Sequence, residues 1–229
     1  MDESMDVKEN TALRNLTGVF ESREDGARAL VELLDELDGD TLVLGIPSGG
    51  VPVAREVSRA LALDMDIVVV RKVQVPFNPE AGLGAVGPEG IIRYNEGLMG
   101  RLGLDEAEVQ RQTLKARESV RLREELFRGD REYPDMHGRS VLILDDGLAS
   151  GFTMLAAMDF VGQRTVSSIM VGAPTGSSGA VRMLADRAET VYCPNIREGM
   201  AFAVAEAYRH WHDLSDAEVI RAMGDAFSD

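Results

Sequence analysis

Five short runs of the chain are almost continuously apolar and rich in Val, Ile and Leu. Strands with this pattern are typical of a parallel sheet that helices cover on both faces. The predicted strands cover residues 41–46, 66–70, 140–145, 167–173 and 189–193.

Segments between these runs repeat apolar residues at helical spacing. Ser22 can cap a helix whose apolar positions reach Leu37, since a serine hydroxyl accepts hydrogen bonds from the first helical turn. The tail from 200 to 227 is expected to be mostly helical, with Leu214-Ser215 as the candidate break. The other predicted helices cover residues 51–61, 105–127, 152–161 and 178–185.

Strands that alternate with helices predict an α/β fold with a doubly wound, mainly parallel sheet. The 229 residues are expected to form a single domain, with a core of about residues 15–190 and a smaller cap from residues 191–229. The charged helix at 105–127 is expected to expose much of its surface, with a dimer surface as the alternative. Residues 71–95, rich in proline and glycine, form either a long loop or a small hairpin.

Composition excludes several classes of protein. A net charge of -15 without a run of Lys and Arg disfavours nucleic-acid binding. No apolar run approaches the ~18 residues that cross a bilayer, and the acidic start does not resemble a signal peptide. The single cysteine, Cys193, cannot form a disulfide within the chain. A cytoplasmic protein that binds neither nucleic acid nor membrane is therefore expected.

The most informative segment is VLILDDGLASGFTM, residues 141–154. An apolar strand ends at Asp145 and Asp146, and a turn of small residues leads into a helix. Such a turn directs several backbone N–H groups and the helix dipole at one point, which suits a phosphate. The hydroxyls of Ser150 and Thr153 can also donate, and the two carboxylates suit ribose hydroxyls or hydrated Mg²⁺.

The string DDGLASGFT resembles the motif with which type I phosphoribosyltransferases bind phosphoribosyl pyrophosphate (PRPP). Ser150 stands where threonine is commoner. The resemblance implies that Asp145 and Asp146 hold the ribose hydroxyls and Mg²⁺. It further implies a 5′-phosphate site formed by Leu148, Ala149, Ser150, Gly151, Phe152 and Thr153.

A second loop, LGIPSGGVPVA at residues 44–54, also joins an apolar strand to a helix. Its backbone amides could hold a second anion, and an ordinary left-handed turn is the alternative. Because ligands of α/β proteins bind at the carboxyl ends of parallel strands, both loops are expected at one edge of the sheet. The family resemblance implies a pyrophosphate site at Pro47, Ser48, Gly49 and Gly50.

Arg71 and Lys72 directly follow the strand at 66–70, where cations would stabilise a pyrophosphate leaving group. Solvated surface cations are the alternative interpretation. The resembled family has a mobile loop after this position that excludes water from the reaction. Its candidate contacts here are Asn78, Pro79 and Glu80.

The resemblance covers about residues 15–220 and is strongest to a subgroup of phosphoribosyltransferases with unassigned substrates. In that subgroup the tail forms a hood over the acceptor, and a homodimer is expected. Residues 195–200 match no hood pattern, which leaves the acceptor open. The candidate hood residues are Cys193, Pro194, Phe202, Trp211 and Asp213.

The sequence therefore predicts a Mg²⁺-dependent transferase that moves a phosphoribosyl group from PRPP to a nitrogenous acceptor, with Asp145, Asp146, Arg71 and Lys72 as catalytic residues. A non-catalytic PRPP-binding regulator on the same fold is the alternative. A phosphatase or nucleotide hydrolase is disfavoured, because the acid pair is adjacent and not spaced as D-x-D. Cys193 is expected to be a buried apolar side chain and no nucleophile.

Overall fold

The computed structural model describes residues 6–34, 37–199 and 202–224. Its strands are, in chain order, β1 (Val7–Lys8), β2 (Leu42–Gly45), β3 (Met65–Ile67), β4 (Arg71–Val75), β5 (Asn78–Val86), β6 (Ile92–Tyr94), β7 (Ser140–Leu144), β8 (Ser168–Gly172), β9 (Thr175–Ser177), β10 (Val191–Tyr192) and β11 (Asn195–Arg197).

Its helices are α1 (Arg23–Val31), α2 (Gly50–Leu61), α3 (Glu96–Leu102), α4 (Glu106–Arg128), α5 (Phe152–Gly162), α6 (Ser178–Ala185) and α7 (Asp216–Gly224). Short 3₁₀ helices cover Thr11–Leu13, Pro88–Gly90 and Val204–Ala207. None of the helices in the described ranges has both the length and the apolar character needed to cross a bilayer.

The central sheet has six parallel strands in the order β1-β10-β8-β7-β2-β3. Its strands bury both faces. In β2, Val43 packs into one hydrophobic cluster, whereas Leu42 and Leu44 pack into the other, and β7 alternates in the same way. Successive side chains of a strand point to opposite faces, so a strand that is covered on both must be apolar throughout.

Helices cover each face of this sheet. Buried side chains of α1, α2, α4 and α7 belong to the first cluster, and those of α5 and α6 belong to the second. The predicted α/β fold with a doubly wound, mainly parallel sheet is confirmed.

Residues 71–95 form an antiparallel sheet in the order β4-β5-β6, so the hairpin alternative is correct for this segment. Gly84 has φ +149° and lies against the carbonyl of Arg93, where a side chain would overlap the neighbouring strand. Val73 and Leu83 contribute to the first cluster and Ala85 to the second, so this sheet is anchored in the core.

The segment after β10 packs against residues that precede α1. The side-chain amide of Asn195 donates to the carbonyls of Leu13 (2.6 Å) and Leu16 (3.2 Å). Phe20 forms a β-bridge with Tyr208, and their rings lie 5.8 Å apart. Residues 13–20 and 195–208 therefore pack against each other, although they are far apart in the sequence.

Two predicted elements end earlier than expected. Helix α1 is capped by Ser22, as predicted, but it ends at Val31, and the extension to Leu37 is wrong. The N–H groups of Leu33 and Leu34 donate to carbonyls three residues earlier, which tightens the chain into a turn. The strand predicted at 66–70 ends at Ile67, after which the chain leaves the sheet towards β4.

The prediction of a mostly helical tail is correct for only part of the segment, since residues 208–215 are not helical. Among its described residues, only the 3₁₀ turn at 204–207 and α7 are helical. The serine at the candidate break is the start of α7: the hydroxyl of Ser215 accepts from the N–H of Glu218 (3.3 Å), and the Glu218 carboxylate accepts from the Ser215 N–H (2.9 Å). This reciprocal pair is a capping box. Val219 and Met223 then anchor α7 in the first cluster.

A buried ion pair ties α4 to β3, and its loss should destabilise the fold. Arg128 and Asp66 are 2.7 Å apart, with side chains 3% and 6% exposed. Replacing Arg128 with Met leaves a buried carboxylate unpaired, so we expect the free energy of unfolding to fall by about 3–5 kcal/mol in urea denaturation. Arg121→Ala, which removes an exposed cation of the same helix, should change stability little. Equal stability of the two variants would contradict this role for the pair.

Candidate functional site

The carboxyl ends of β2 and β7 lie side by side, because these strands are neighbours in the sheet. The loop after β2 (residues 46–50) and the loop after β7 (residues 145–151) therefore meet at one edge, as predicted. The N–H of Ile46 donates to the carbonyl of Leu144 (2.9 Å) and joins the two loops.

Gly49 and Gly50 allow the two loops to touch. A Cβ atom on Gly49 would overlap the carboxylate of Asp146, and one on Gly50 would overlap the carbonyl oxygen of Leu144. The peptide bond between Pro47 and Ser48, at the entry to this contact, is cis. The glycines thus bring the backbone of the first loop directly against the acid pair.

The acid pair is held by hydrogen bonds from three directions. The carboxylate of Asp146 accepts from Nε of Arg23 (2.8 Å), and its backbone carbonyl accepts from the hydroxyl of Tyr208 (2.6 Å). The carboxylate of Asp145 accepts from the N–H of Asp146 (2.8 Å). Both side chains are therefore fixed before any ligand arrives.

Arg23 connects this pair to the segment after β11. Its guanidinium lies 3.9 Å from the ring centroid of Trp211 and donates to the carbonyl of His212 (3.1 Å). Its side chain is only 7% exposed. Because arginine stacks on aromatic rings while its N–H groups still donate, Arg23 both neutralises part of the acid pair and anchors the chain at 211–212.

Burial raises the pKa of both carboxyl groups. For Asp145 the charge of Asp146 adds to the effect of burial, and the pKa is well above its ordinary range. For Asp146 burial is the larger influence, and the positive charge of Arg23 opposes it. Two adjacent carboxylates with one arginine in contact form a site that favours a further cation or a hydrogen-bond donor.

The turn after the acid pair is shaped by glycine and by the strand beside it. Gly151 has φ +78°, and a Cβ atom there would meet Met183 at 2.6 Å. The hydroxyl of Ser177 donates to the carbonyl of Ala149 (2.7 Å). Ala149 and Ser150 are exposed at the start of α5, where the first helical turn leaves N–H groups without intrahelical acceptors. This geometry suits an anion.

A cavity of about 580 Å³ opens over this turn. Residues of the turn, of the antiparallel sheet and of the segment after β11 line it, so it lies between three parts of the chain. Its lining includes Lys72, Asn95, Asp145, Asp146, Ser150, Thr153, Ser177, Phe202 and Val204.

A second cavity of about 490 Å³ adjoins the first and shares Lys72, Asp145 and Thr153 with it. It is lined by the loop after β2, by β4 and by α4. Burial and the nearby charge of Arg123 lower the pKa of Arg71, which lies in its wall. The remaining lining includes Ile46, Pro47, Gln74, Gln112, Lys115, Ser119 and Asp213.

The structure brings most of the predicted site residues to these two cavities. The first cavity is lined by Asp145, Asp146 and the turn at 148–151. The second cavity is lined by Pro47 and Arg71, and Thr153 lines both cavities. The backbones of Gly49 and Gly50 lie against the acid pair and the end of β7, and Ser48 contacts α4 through Arg123. Phe152 is the first residue of α5. The first three residues of β5 are Asn78, Pro79 and Glu80, and the side chains of the last two are outside the described part.

The candidate hood residues are divided among different places. Phe202 lines the first cavity and Asp213 the second. Cys193 is fully buried, where burial strongly raises the pKa of its thiol. Trp211 contacts Arg23, which itself contacts Asp146.

Sequence reasoning missed Arg23, Arg123 and Tyr208. Each reaches the site from a distant part of the chain: Arg23 is 123 residues from Asp146, and Tyr208 is 62 residues from it. Arg123 donates to the hydroxyl of Ser48 (3.0 Å), 75 residues away. Tyr208 lies in a tail segment that carries part of the family resemblance, but the sequence predicted no role for any of the three.

Comparison with known proteins identifies the family of this chain. The model of the phosphoribosyl transferase domain matches residues 20–207. The chain belongs to this family. The match contains both loops, the antiparallel sheet, the acid pair and Arg23, and it ends one residue before Tyr208.

Relatives of this chain are known from several bacteria. A "Putative phosphoribosyl transferase" of Mycobacterium tuberculosis is 35% identical over 212 residues, which are 92% of this chain and 48% of the relative. The chain thus spans about half the length of the curated relatives it matches. The crystal structure of TT1426 from Thermus thermophilus has 34% identity and a TM-score of 0.72, and the match covers 90% of this chain and 98% of that one. AQ2163 from Aquifex aeolicus shares the fold, with a TM-score of 0.51 and 10% identity over 81% of this chain and 76% of that one.

The raised pKa of Asp145 predicts that Asp145→Asn stabilises the ligand-free protein at neutral pH. In the unfolded chain an aspartate has a pKa of about 3.9. Between that pH and its raised pKa, folding takes up a proton, so wild-type stability falls as pH rises. Asparagine keeps the acceptor oxygen without the charge. The stability difference should be absent at the lowest pH, grow through this window and persist above it.

Thermal unfolding measured from about pH 4 to about pH 8 gives this difference, since a change of about 1 kcal/mol in the free energy of unfolding shifts Tm by roughly 2–4 °C for a chain of this size. Asp130→Asn, at an exposed position, serves as the matched control and should show no such trend. An Asp145→Asn protein that is less stable than wild type at pH 8 or so would refute the proposed effect of burial.

Proposed function

We propose that the protein transfers a 5-phosphoribosyl group from PRPP to a nitrogenous acceptor, a nucleobase or a related amine, with release of pyrophosphate. The observation that carries this proposal is the position of Asp145, on the boundary of two cavities. One cavity contains an anion-binding turn, and the other contains a group of cations. A ligand with a phosphate at one end and a pyrophosphate at the other matches this arrangement.

The turn at 148–153 receives the 5′-phosphate in this proposal. The backbone N–H groups of residues 149–153 and the hydroxyls of Ser150 and Thr153 donate to the phosphate oxygens, and the dipole of α5 favours the negative charge. The N–H of Leu148 instead donates to the carbonyl of Thr175. Ser150 and Thr153 line the first cavity. Asp145 and Asp146 then accept from the ribose hydroxyls, which lie between the two phosphate groups of the ligand.

The acid pair also fits Mg²⁺. Its carboxylates offer the oxygen ligands that Mg²⁺ prefers, and this ion is commonly bound by one or two carboxylates together with substrate phosphates and water. Burial raises the pKa of both Asp145 and Asp146, and a bound cation would favour their ionised forms. A bound Mg²⁺ would neutralise charge on the pyrophosphate.

The protein's own contribution to the reaction is positioning and electrostatic stabilisation. Arg71 and Lys72 line the second cavity, where they stabilise the negative charge that develops on departing pyrophosphate. The acceptor nitrogen then attacks C1 of the ribose from the first cavity, beside Phe202 and Val204. Holding both reactants in line supplies much of the rate enhancement. No covalent bond to the enzyme forms in this scheme.

Three further expectations belong to this proposal. The segment 202–213, together with the residues before α1, forms the hood that covers the acceptor. The strands β4 and β5 and their connecting turn form the element that excludes water, with Asn78 at the start of β5. The protein acts in the cytoplasm as a homodimer.

Ligand-induced stabilisation tests the binding step. A ligand at ~100 times its dissociation constant adds ~2.7 kcal/mol to the free energy of unfolding, which raises Tm by roughly 5–10 °C for this size. We expect such a shift with PRPP and Mg²⁺, and a smaller one with ribose 5-phosphate. The double variant Asp145→Asn, Asp146→Asn should remain folded and lose the PRPP shift, whereas Asp130→Asn should keep it.

Turnover separates the enzyme from a PRPP-binding regulator. Pyrophosphate release is measured with PRPP, Mg²⁺ and a panel of nucleobases and amines. Release that depends on one acceptor, and that the double variant lacks, is the expected result. A PRPP shift without release across the panel would favour the regulator. No shift in the folded wild type would remove PRPP as the ligand.

A further inference from the structure

One face of α4 turns polar side chains towards the loop after β2. Gln112, Lys115, Ser119 and Arg123 are three or four residues apart, so they share one side of the helix. The first three line the second cavity, and Arg123 donates to the hydroxyl of Ser48. The helix was expected from its sequence to be mainly a solvated surface. This face of it instead belongs to the site.

Arg123 is fixed in place by two further contacts. Its Nη2 atom lies 3.3 Å from a carboxylate oxygen of Asp216, at the start of α7, and its side chain is 22% exposed. Its guanidinium lies 5.6 Å from the ring centroid of Phe127. A residue held by a serine, a carboxylate and an aromatic ring is preorganised, and little conformational entropy is lost when it orients a ligand group.

The contact with Arg123 determines what Ser48 can do. Arginine is only a donor, so the Ser48 oxygen accepts from it and the hydroxyl proton is left to donate elsewhere. This proton and the backbone N–H groups of Ser48 and Gly49 can then donate to an anion, whereas those of Ile46 and Gly50 already donate to carbonyls of the protein. Arg123 therefore acts on a ligand through Ser48, as a positioning residue.

Four cations surround this loop although the protein has a net charge of -15. Arg71, Lys72 and Lys115 line the second cavity, and the charge of Arg123 acts on Arg71. The carboxylates of Asp213 and Asp216 face the same group and compensate part of its charge. Cations that are held close together against their mutual repulsion suit a multiply charged anion.

We propose that this face of α4 forms the second wall of the pyrophosphate subsite, in which Lys115 contacts the pyrophosphate and Arg123 positions Ser48. The inference rests on the proposed transferase function and extends it to residues outside the two loops. The opposite side of α4 has a different character, since Arg121 is exposed there and pairs with Glu118. It supplies control positions on the same helix.

Calorimetric titration tests this proposal with pyrophosphate and ribose 5-phosphate as separate ligands, each with Mg²⁺. Lys115→Ala and Arg123→Ala should each raise the Kd of pyrophosphate about tenfold or more, since hydrogen bonds to charged groups are the strong ones. The Kd of ribose 5-phosphate, which occupies the turn at 148–153, should change less than about twofold. Arg123→Lys should recover part of the loss, because it keeps the charge but not the forked geometry.

Arg121→Ala is the matched control, because it removes an arginine of the same helix whose side chain is 60% exposed and pairs with Glu118. It should bind both ligands as wild type does. Unchanged pyrophosphate affinity in Lys115→Ala and Arg123→Ala would overturn the proposal, while a PRPP shift in wild type would leave the transferase function standing. Equal weakening of both ligands would mean a general structural role and would also overturn it. A wild type that binds neither ligand nor PRPP would remove both proposals.

Discussion

Two adjacent carboxylates at the end of a buried parallel strand are the constraint around which the site is built. Burial raises the pKa of Asp145 and Asp146, so the fold must hold charge where water is scarce. Arg23 supplies one compensating cation at 2.8 Å and is itself held by Trp211. Gly49 must lack a side chain because its backbone lies against Asp146. The first loop, α1 and the segment after β11 thus all meet at this pair.

Charge is distributed unevenly around that pair. On one side, a turn with an exposed helix start offers backbone N–H groups, which bind phosphate through dipoles. On the other side, Arg71, Lys72 and Lys115 bring formal positive charge to a single cavity. A pyrophosphate gains charge as it leaves, whereas the 5′-phosphate keeps its charge throughout the reaction. In the proposed reaction, full cations near the leaving group and dipoles near the anchoring phosphate would favour the transition state over the substrate.

The sequence predicted the parts of this structure that are encoded locally. The strands that end at residues 45 and 144 are each continuous in sequence with a loop and a helix. Their apolar spacing identifies the strands and helices, and small residues identify the loops. The parts it did not predict depend on tertiary contacts. Helix α3 has only seven residues and contains Gly97 and Gly100, and glycine disfavours helix, so the local sequence does not predict it. The stretch between the 3₁₀ turn at 204–207 and α7 was predicted as helix, but residues 208–210 pair with residues 20–21 instead. Arg23, Arg123 and Tyr208 reach the acid pair or its loops across long sequence separations, which no single-sequence pattern records.

The most direct measurement is a crystal structure of the protein with PRPP and Mg²⁺ bound. The 5′-phosphate should lie in the turn at 148–153, the ribose hydroxyls should face Asp145 and Asp146, and the pyrophosphate should lie between the loop at 46–50 and α4. A PRPP molecule bound with its phosphates reversed, or bound away from the acid pair, would contradict the proposed site.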